Sequence, residues 1–138
     1  MNFQNLNWLY LGDLFQYQIG WDYFRNDIWR FPPGLNPTYG DEIGSSIVFT
    51  DSIPLLAFIF KILSPILPKT FQYFSLWIFL SIFLQSLISY LIILKLTKNN
   101  IFSLLSILFF VLSPVFIYRS GIHLSLMGQW IILISFYI

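Results

Sequence analysis

Read for the alternation of apolar and polar positions, the chain falls into a mixed first part and an apolar remainder. Residues 71–94 are 24 consecutive positions without a charge. As a helix rising about 1.5 Å per residue they reach roughly 36 Å, enough to span a hydrocarbon core of about 30 Å with some tilt. Lys95, Lys98, Asn99 and Asn100 follow as a short polar turn. Residues 101–118 then supply 18 more uncharged positions, roughly 27 Å of helix and a second predicted span. Pro114 lies near its end, where a backbone group left without a partner is met by a neighbouring helix or interfacial water. Arg119, Ser120, Gly121 and His123 make the next break, and the run from Leu124 is still apolar at Ile138. At about 15 residues it is shorter than the roughly 20 a span needs, which predicts truncation inside a helix.

The stretch 52–70 reads differently. Its apolar residues are bracketed by Pro54, Pro65 and Pro68 and carry Lys61 near their centre. A charge at mid-bilayer costs at least ~2.5 kcal/mol on insertion scales, so an interfacial or re-entrant helix is predicted, with Lys61 snorkelling to the headgroups. Residues 1–51 mix aromatic, acidic, Pro and Gly positions and predict a head outside the hydrocarbon, carrying helices that lie on the membrane. The first ten residues lack the basic and apolar regions of a signal peptide, which predicts a further segment upstream. The expected fold is therefore an all-α integral membrane protein: interfacial helices in a large loop outside the hydrocarbon (1–51), which the resemblance given below makes external, an interfacial or re-entrant helix (52–70), then antiparallel transmembrane helices (71–138, with spans at 71–94 and 101–118 and a truncated 124–138).

Composition agrees with this pattern. Of 138 residues, 57% are hydrophobic, 21% aromatic and only 9% charged, with a mean hydropathy of +0.75. A soluble domain carries about a quarter charged residues. The net charge of +1 comes without any basic cluster, which excludes a nucleic-acid partner and leaves the lipid bilayer as the expected one. The absence of cysteine excludes disulfides and thiolate metal sites. All six acids, Asp13, Asp22, Asp27, Asp41, Glu42 and Asp51, fall in the first 51 positions. Basic residues are too evenly divided to fix orientation by the positive-inside rule.

Asp13 stands between Gly12 and Leu14, flanked by Trp8, Tyr10, Tyr17 and Trp21. Such aromatics suit the headgroup layer. A carboxylate there can act as general base toward a hydroxyl or ligate a divalent cation that bridges to a diphosphate; it reads equally as a solvated loop acid or a helix N-cap. Asp22 with Arg25, and Asp27 with Arg30, fall at i,i+3 and predict two local ion pairs on an interfacial helix that ends by Pro32-Pro33. Asp51 or Ser52 is placed to cap the helix after Pro54. Asp41-Glu42 lacks the spacing of a cation loop. Arg119 and His123 are four apart at the mouth of the second span. A guanidinium there suits a phosphate and His123 a proton, though both are also ordinary interface anchors. Gln85 and Ser86 are the polar pair near the middle of 71–94 and read as helix-to-helix hydrogen bonding or a transport path.

Three stretches together carry a resemblance: Gly12-Asp13-Leu14-Phe15-Gln16 through Trp29-Arg30-Phe31-Pro32, Thr50-Asp51-Ser52-Ile53-Pro54-Leu55, and Ser113-Pro114-Val115-Phe116 with Tyr118-Arg119 and Gly121-Ile122-His123. The chain resembles a fragment of an uncharacterised family of bacterial polytopic membrane proteins, a domain of unknown function that looks like the GT-C membrane glycosyltransferases. The resemblance implies a sugar transferase using a polyprenyl-phosphate donor at the external face of the bacterial plasma membrane. It implies Asp13 as the catalytic carboxylate of the first external loop, acting as base or metal ligand, and Arg119, His123 and Asp51 as substrate-binding. Orientation follows from it too, with 95–100 cytoplasmic and Arg119 and His123 external. A transporter or flippase, and a non-catalytic assembly subunit, are the competing classes.

Overall fold

A computed structural model describes residues 2–40 and 42–138; Asp41, half of the acidic pair at 41–42, lies outside the described residues. The chain divides into two compact units, residues 1–75 and 76–138.

In the first unit, α1 (Leu14–Asn26) buries Leu14, Tyr17, Trp21 and Phe24, a stripe at the three- and four-residue spacing of one helix face. The helix ends well before Pro32. Asp27 leaves it in extended backbone because its carboxylate accepts from the Ile28 N–H at 2.8 Å and from Arg30 Nε at 3.0 Å, local bonds that compete with helix continuation. The expected Asp27–Arg30 pair thus forms beyond the helix. The expected Asp22–Arg25 pair is replaced: Asp22 accepts from Gln18 Nε2 at 2.8 Å, and Arg25 reaches away to the segment after α2.

That segment explains why. Pro65 and Pro68 follow α2 (Pro54–Ile62) and leave carbonyl groups without helical donors. The Arg25 guanidinium takes them up, bonding the carbonyls of Ser64, Leu67, Pro68 and Lys69 at 3.3, 3.0, 2.8 and 3.1 Å while Nε donates to Ser64 Oγ at 2.8 Å. A single planar fork closes the loop.

At the other end of α2, Pro54 occupies the first helical turn, where its missing N–H costs nothing. The residue before it, Ile53, is left-handed (φ 52°) and offers no side-chain cap. The predicted caps do other things. Asp51 is exposed and left-handed (φ 56°), and Ser52 Oγ donates to the Tyr17 carbonyl at 2.8 Å. Lys61 does not snorkel. It is buried, with Nζ 3.9 Å from the centroid of the Phe24 ring and 4.9 Å from that of Trp29, because aromatic faces attract a cation that has lost water.

A two-stranded antiparallel sheet, β1 (Leu35–Asn36) with β2 (Ser45–Ser46), departs from the all-helical expectation. Gly40 and Gly44 at φ 97° and 65° supply the left-handed turns that return the chain. Phe71 and Tyr73 complete the aromatic core. Trp21 Nε1 donates to the Phe71 carbonyl at 3.1 Å and its ring meets Tyr73 edge-on at 5.0 Å, while the Tyr73 hydroxyl donates to the Ser52 carbonyl.

α3 (Phe74–Thr97) leads into the second unit and is 24 residues long. Among the described residues it is the one helix long and apolar enough by itself to cross a membrane. α4 (Asn100–Val111) is capped by Asn99, whose side chain accepts from the Ile101 and Phe102 N–H groups. The predicted continuous span 101–118 is broken: α4 and α5 (Pro114–Ile122) bend by 45°. Pro114 cannot continue α4, and Ser113 Oγ accepts from the Phe116 N–H to start a new helix. α6 (Gln129–Tyr137) follows a 3-10 turn at Leu124–Met127. Trp77 Nε1 of α3 donates to the Leu124 carbonyl at 2.7 Å, and Lys95 donates to the Tyr137 carbonyl at 2.6 Å, a cation at a helix C-terminus.

Gly20 on α1 is packed so closely that a Cβ there would lie 2.4 Å from Thr50 Cβ. Gly20→Ala should therefore destabilise the chain by about 1–3 kcal/mol through overpacking. Gly121→Ala, where a Cβ meets nothing within 4 Å, should leave stability unchanged or raise it. Thermal melts of the full chain in non-ionic detergent, followed by circular dichroism, compare the two; equal midpoints would refute the Gly20 contact.

Candidate functional site

The second unit contains no carboxylate side chain, yet it holds Arg119 and His123. Arg119 lies in the last turn of α5 and His123 is its C-cap residue, its N–H donating to the Arg119 carbonyl at 2.9 Å. The two side chains line one pocket of about 520 Å³, walled by Pro114, Val115, Tyr118 and Leu126. The helix persists far enough past Ser120-Gly121 to keep them together.

Arg119 also borders a second pocket of about 580 Å³, where the apolar wall is Phe109, Phe110, Ile132 and Leu133 and the polar groups are Gln85, Ser113 and Gln129. After Trp77, the α3 residues buried at four-residue spacing are Ser81, Gln85 and Ser89, so this part of one face of an otherwise apolar helix is small or polar. Ser106 of α4 meets it, donating to the Ser89 carbonyl at 3.4 Å. Ser81 Oγ and Gln85 Oε1 are buried without a hydrogen-bond partner. Gln85 and Ser86 do not act as a pair: Gln85 is buried, and Ser86 Oγ bonds back to the Ile82 carbonyl at 2.7 Å.

In the first unit Asp13 stands directly before α1, exposed, and makes no capping bond. Asp51 is likewise exposed, and no hydrogen bond joins it to Asp13. Among the described residues no group of three or more His, Asp or Glu side chains is gathered to hold a metal ion, so a divalent cation at Asp13 would need ligands from elsewhere. Asp22 lines a pocket of about 380 Å³ with Tyr23, Asn26, Asp27 and Thr38. Burial holds its carboxyl above the usual range, against the Gln18 hydrogen bond and the Arg25 charge. Asp27, bonded to Arg30, is held below it. Burial pushes the Lys61 ammonium down, opposed by the charge of Asp27 and reinforced by that of Arg30. The i,i+4 placement of Gln18 and Asp22 was the sequence signal for that acid. Arg25 gave none, since its carbonyl partners lie some 40 positions away.

These features describe a mainly helical protein with one helix able to cross a membrane and a cation-bearing, largely apolar cleft in its second unit. The chain belongs to DUF6311, a domain of unknown function, whose family model matches residues 1–138. No curated protein and no solved structure matches it.

The raised Asp22 pKa has a stability consequence. Just above pH 3.8, its ordinary value, the folded chain keeps a proton that the unfolded chain releases, so the contribution is full below 3.8 and is lost as pH rises through the raised value. Asp27 acts in the opposite sense, below 3.8. The difference in melting temperature between the native chain and Asp22→Asn, measured upward from pH 3.8, should therefore change in the variant's favour. A pH-independent difference would show that Asp22 titrates as it does in the unfolded chain.

Proposed function

We propose that the chain is part of an integral, multi-pass membrane protein that transfers a sugar from a polyprenyl-phosphate donor at the external membrane face, in the manner of the GT-C glycosyltransferases it resembles. The observation that carries this reading is the placement of Arg119 and His123 on one pocket with an apolar wall, in a unit without a single carboxylate side chain to neutralise the guanidinium. A planar fork of donors suits a phosphate, and the apolar wall suits the prenyl chain attached to it. The uncovered apolar surface of α3, including Phe79, Phe83 and Leu87, supports a lipid environment.

In this reading an acceptor hydroxyl attacks the anomeric carbon and its proton passes to the Asp13 carboxylate. The bond from that carbon to the phosphate oxygen breaks, and the leaving phosphate departs with the electron pair, held by Arg119. One displacement inverts the anomeric centre. His123 supplies a second donor to the phosphate, and Asp51 contacts substrate hydroxyls. The same reading requires Asp13, Arg119 and His123 to face the same side of the membrane.

Single cysteines at Asn5, Thr38, Asn99 and Ser120 test it, since the chain has no native cysteine. An impermeant thiol reagent applied to intact cells should label positions 5, 38 and 120 and spare 99. Labelling at 99 alone inverts the topology and ends the transferase reading in favour of a transporter or subunit. In membranes supplied with a polyprenyl-phosphate sugar, Asp13→Asn should lower transfer by at least about a hundredfold, the scale of a lost general base, while leaving insertion unchanged; undiminished transfer would remove Asp13 from the chemistry.

A further inference from the structure

The first unit holds a pocket that the proposed sugar transfer does not use. Asp22, Tyr23, Asn26, Asp27 and Thr38 line its 380 Å³ or so, supplied by α1, the C-cap of that helix and the turn after β1. The two carboxyl groups are not equivalent. Asp27 accepts from the Ile28 N–H at 2.8 Å and from Arg30 Nε and Nη2 at 3.0 and 3.2 Å, so its charge is met on the spot. Asp22 has no cation of its own. Gln18 Nε2 donates to Oδ1 at 2.8 Å, while Oδ2 accepts from none of the described residues, and Arg25 is committed to the carbonyls beyond α2. The pair between Arg30 and Asp27 is the one salt bridge among the described residues. Gln18 Oε1 is buried without a partner, but Asp22 is only half-buried, and its Oδ2 is not sealed in.

The other groups on this wall are acceptors as well. Asn26 Nδ2 donates to the Asp22 backbone carbonyl at 2.8 Å, which leaves the Asn26 Oδ1 oxygen to accept. The Thr38 hydroxyl bonds to none of the described residues, and both Asn26 and Thr38 are exposed. Tyr23 is 46% exposed, its ring held edge-on by Tyr39 at 5.6 Å. An occupant therefore has to bring several donors and a positive charge. A primary ammonium carries three N–H donors on one cation, an aromatic ring attracts it, and it favours the ionised carboxylate that burial disfavours. A calcium ion asks for about six to eight oxygens, several of them from carboxylates. Here one carboxyl is already filled by Arg30, and no third acid among the described residues joins the two.

We propose that this pocket binds a primary ammonium group, with Asp22 Oδ2 accepting the charged hydrogen bond, Asn26 Oδ1 and Thr38 Oγ1 accepting the other two, and the Tyr23 ring covering the carbon next to the nitrogen. The site uses neither Arg119 nor Asp13, so it stands or falls independently of sugar transfer. The ethanolamine headgroup of a phospholipid and a small soluble amine present the same chemistry to it.

Titrations of the nitrogen-15-labelled 138-residue chain in non-ionic detergent and amine-free buffer test it, read at the Asn26 side-chain and Thr38 backbone amide signals. Three probes separate the contributions: 2-aminoethanol has the charge and the N–H donors, choline the charge without N–H, and ethylene glycol donors without charge. The first should half-saturate at about a tenfold lower concentration than either of the others, the scale of a hydrogen bond to a charged group. Asp22→Asn, which keeps an acceptor for Gln18, should erase the preference over ethylene glycol, and Thr38→Val should weaken 2-aminoethanol about fivefold, the scale of one further hydrogen bond. Choline binding as tightly as 2-aminoethanol overturns the hydrogen-bonded ammonium, ethylene glycol binding as tightly makes the pocket a polyol site instead, and an undiminished preference in both variants removes the assigned residues. Nanodiscs then distinguish the two sources. The same shifts on replacing phosphatidylcholine with phosphatidylethanolamine assign a lipid headgroup, shifts with 2-aminoethanol alone assign a soluble amine, and shifts with neither overturn the site.

Discussion

Carbonyl groups stripped of their helical donors set the terms for the first unit. The prolines after α2 break the helix at a point where the chain must turn toward Phe71 and Tyr73; the Ser64 carbonyl keeps one backbone donor, the Leu67 N–H at 3.2 Å, while those of Leu67, Pro68 and Lys69 have none. Arg25 satisfies all four from α1. The requirement propagates. With Arg25 committed there, Asp22 loses its i+3 partner and settles on Gln18, where partial burial holds its proton more firmly. α1 must also approach closely enough for the guanidinium to reach, which Gly20 permits by presenting no Cβ to Thr50 and Ser52.

The second unit works under the opposite scarcity. It has polar donors and cations but no carboxylate side chain, so neither Arg119 nor the buried amide of Gln85 finds a complement inside it. Lys95 finds one in the α6 carbonyl end, and the serines of α3 and α4 largely satisfy themselves on nearby backbone oxygens. Arg119 and Gln85 border one cleft, while Ser81 Oγ and Trp130 Nε1 are buried without partners outside its lining. The proposed donor-phosphate site arises from that imbalance.

The parts of this structure that were legible in the sequence are those decided locally. Twenty-four uncharged positions make α3 readable, its observed bounds lying three residues later than 71–94. The four-residue spacing of Arg119 and His123 sufficed to bring them to one pocket. Less legible were outcomes decided by distant partners. Lys61 reads as a snorkelling lysine until Phe24 and Trp29, more than thirty positions earlier, cover it. Asp27 ends α1 early through bonds to its own neighbours, which a helix-period reading overlooks. Gln85 and Ser86 are adjacent in sequence and identical in apparent polarity, but one residue of helical rotation, about 100°, puts the first inside and turns the second back on its own helix.

The break at Ser113–Pro114 leaves a hydrogen-bond acceptor unused. A continuous helix would give the Phe110 carbonyl a donor from position 114, and proline has none to give. Phe110 borders the cleft that Arg119 also lines, so the carbonyl that loses its helical donor belongs to a residue of that cleft. Groups of that kind do not face lipid; they face protein, ligand or a hydrated space. The bend therefore puts a backbone oxygen without its helical donor on a residue of this cleft, and an occupant that brings a donor there would meet an acceptor that a continuous helix would have used up.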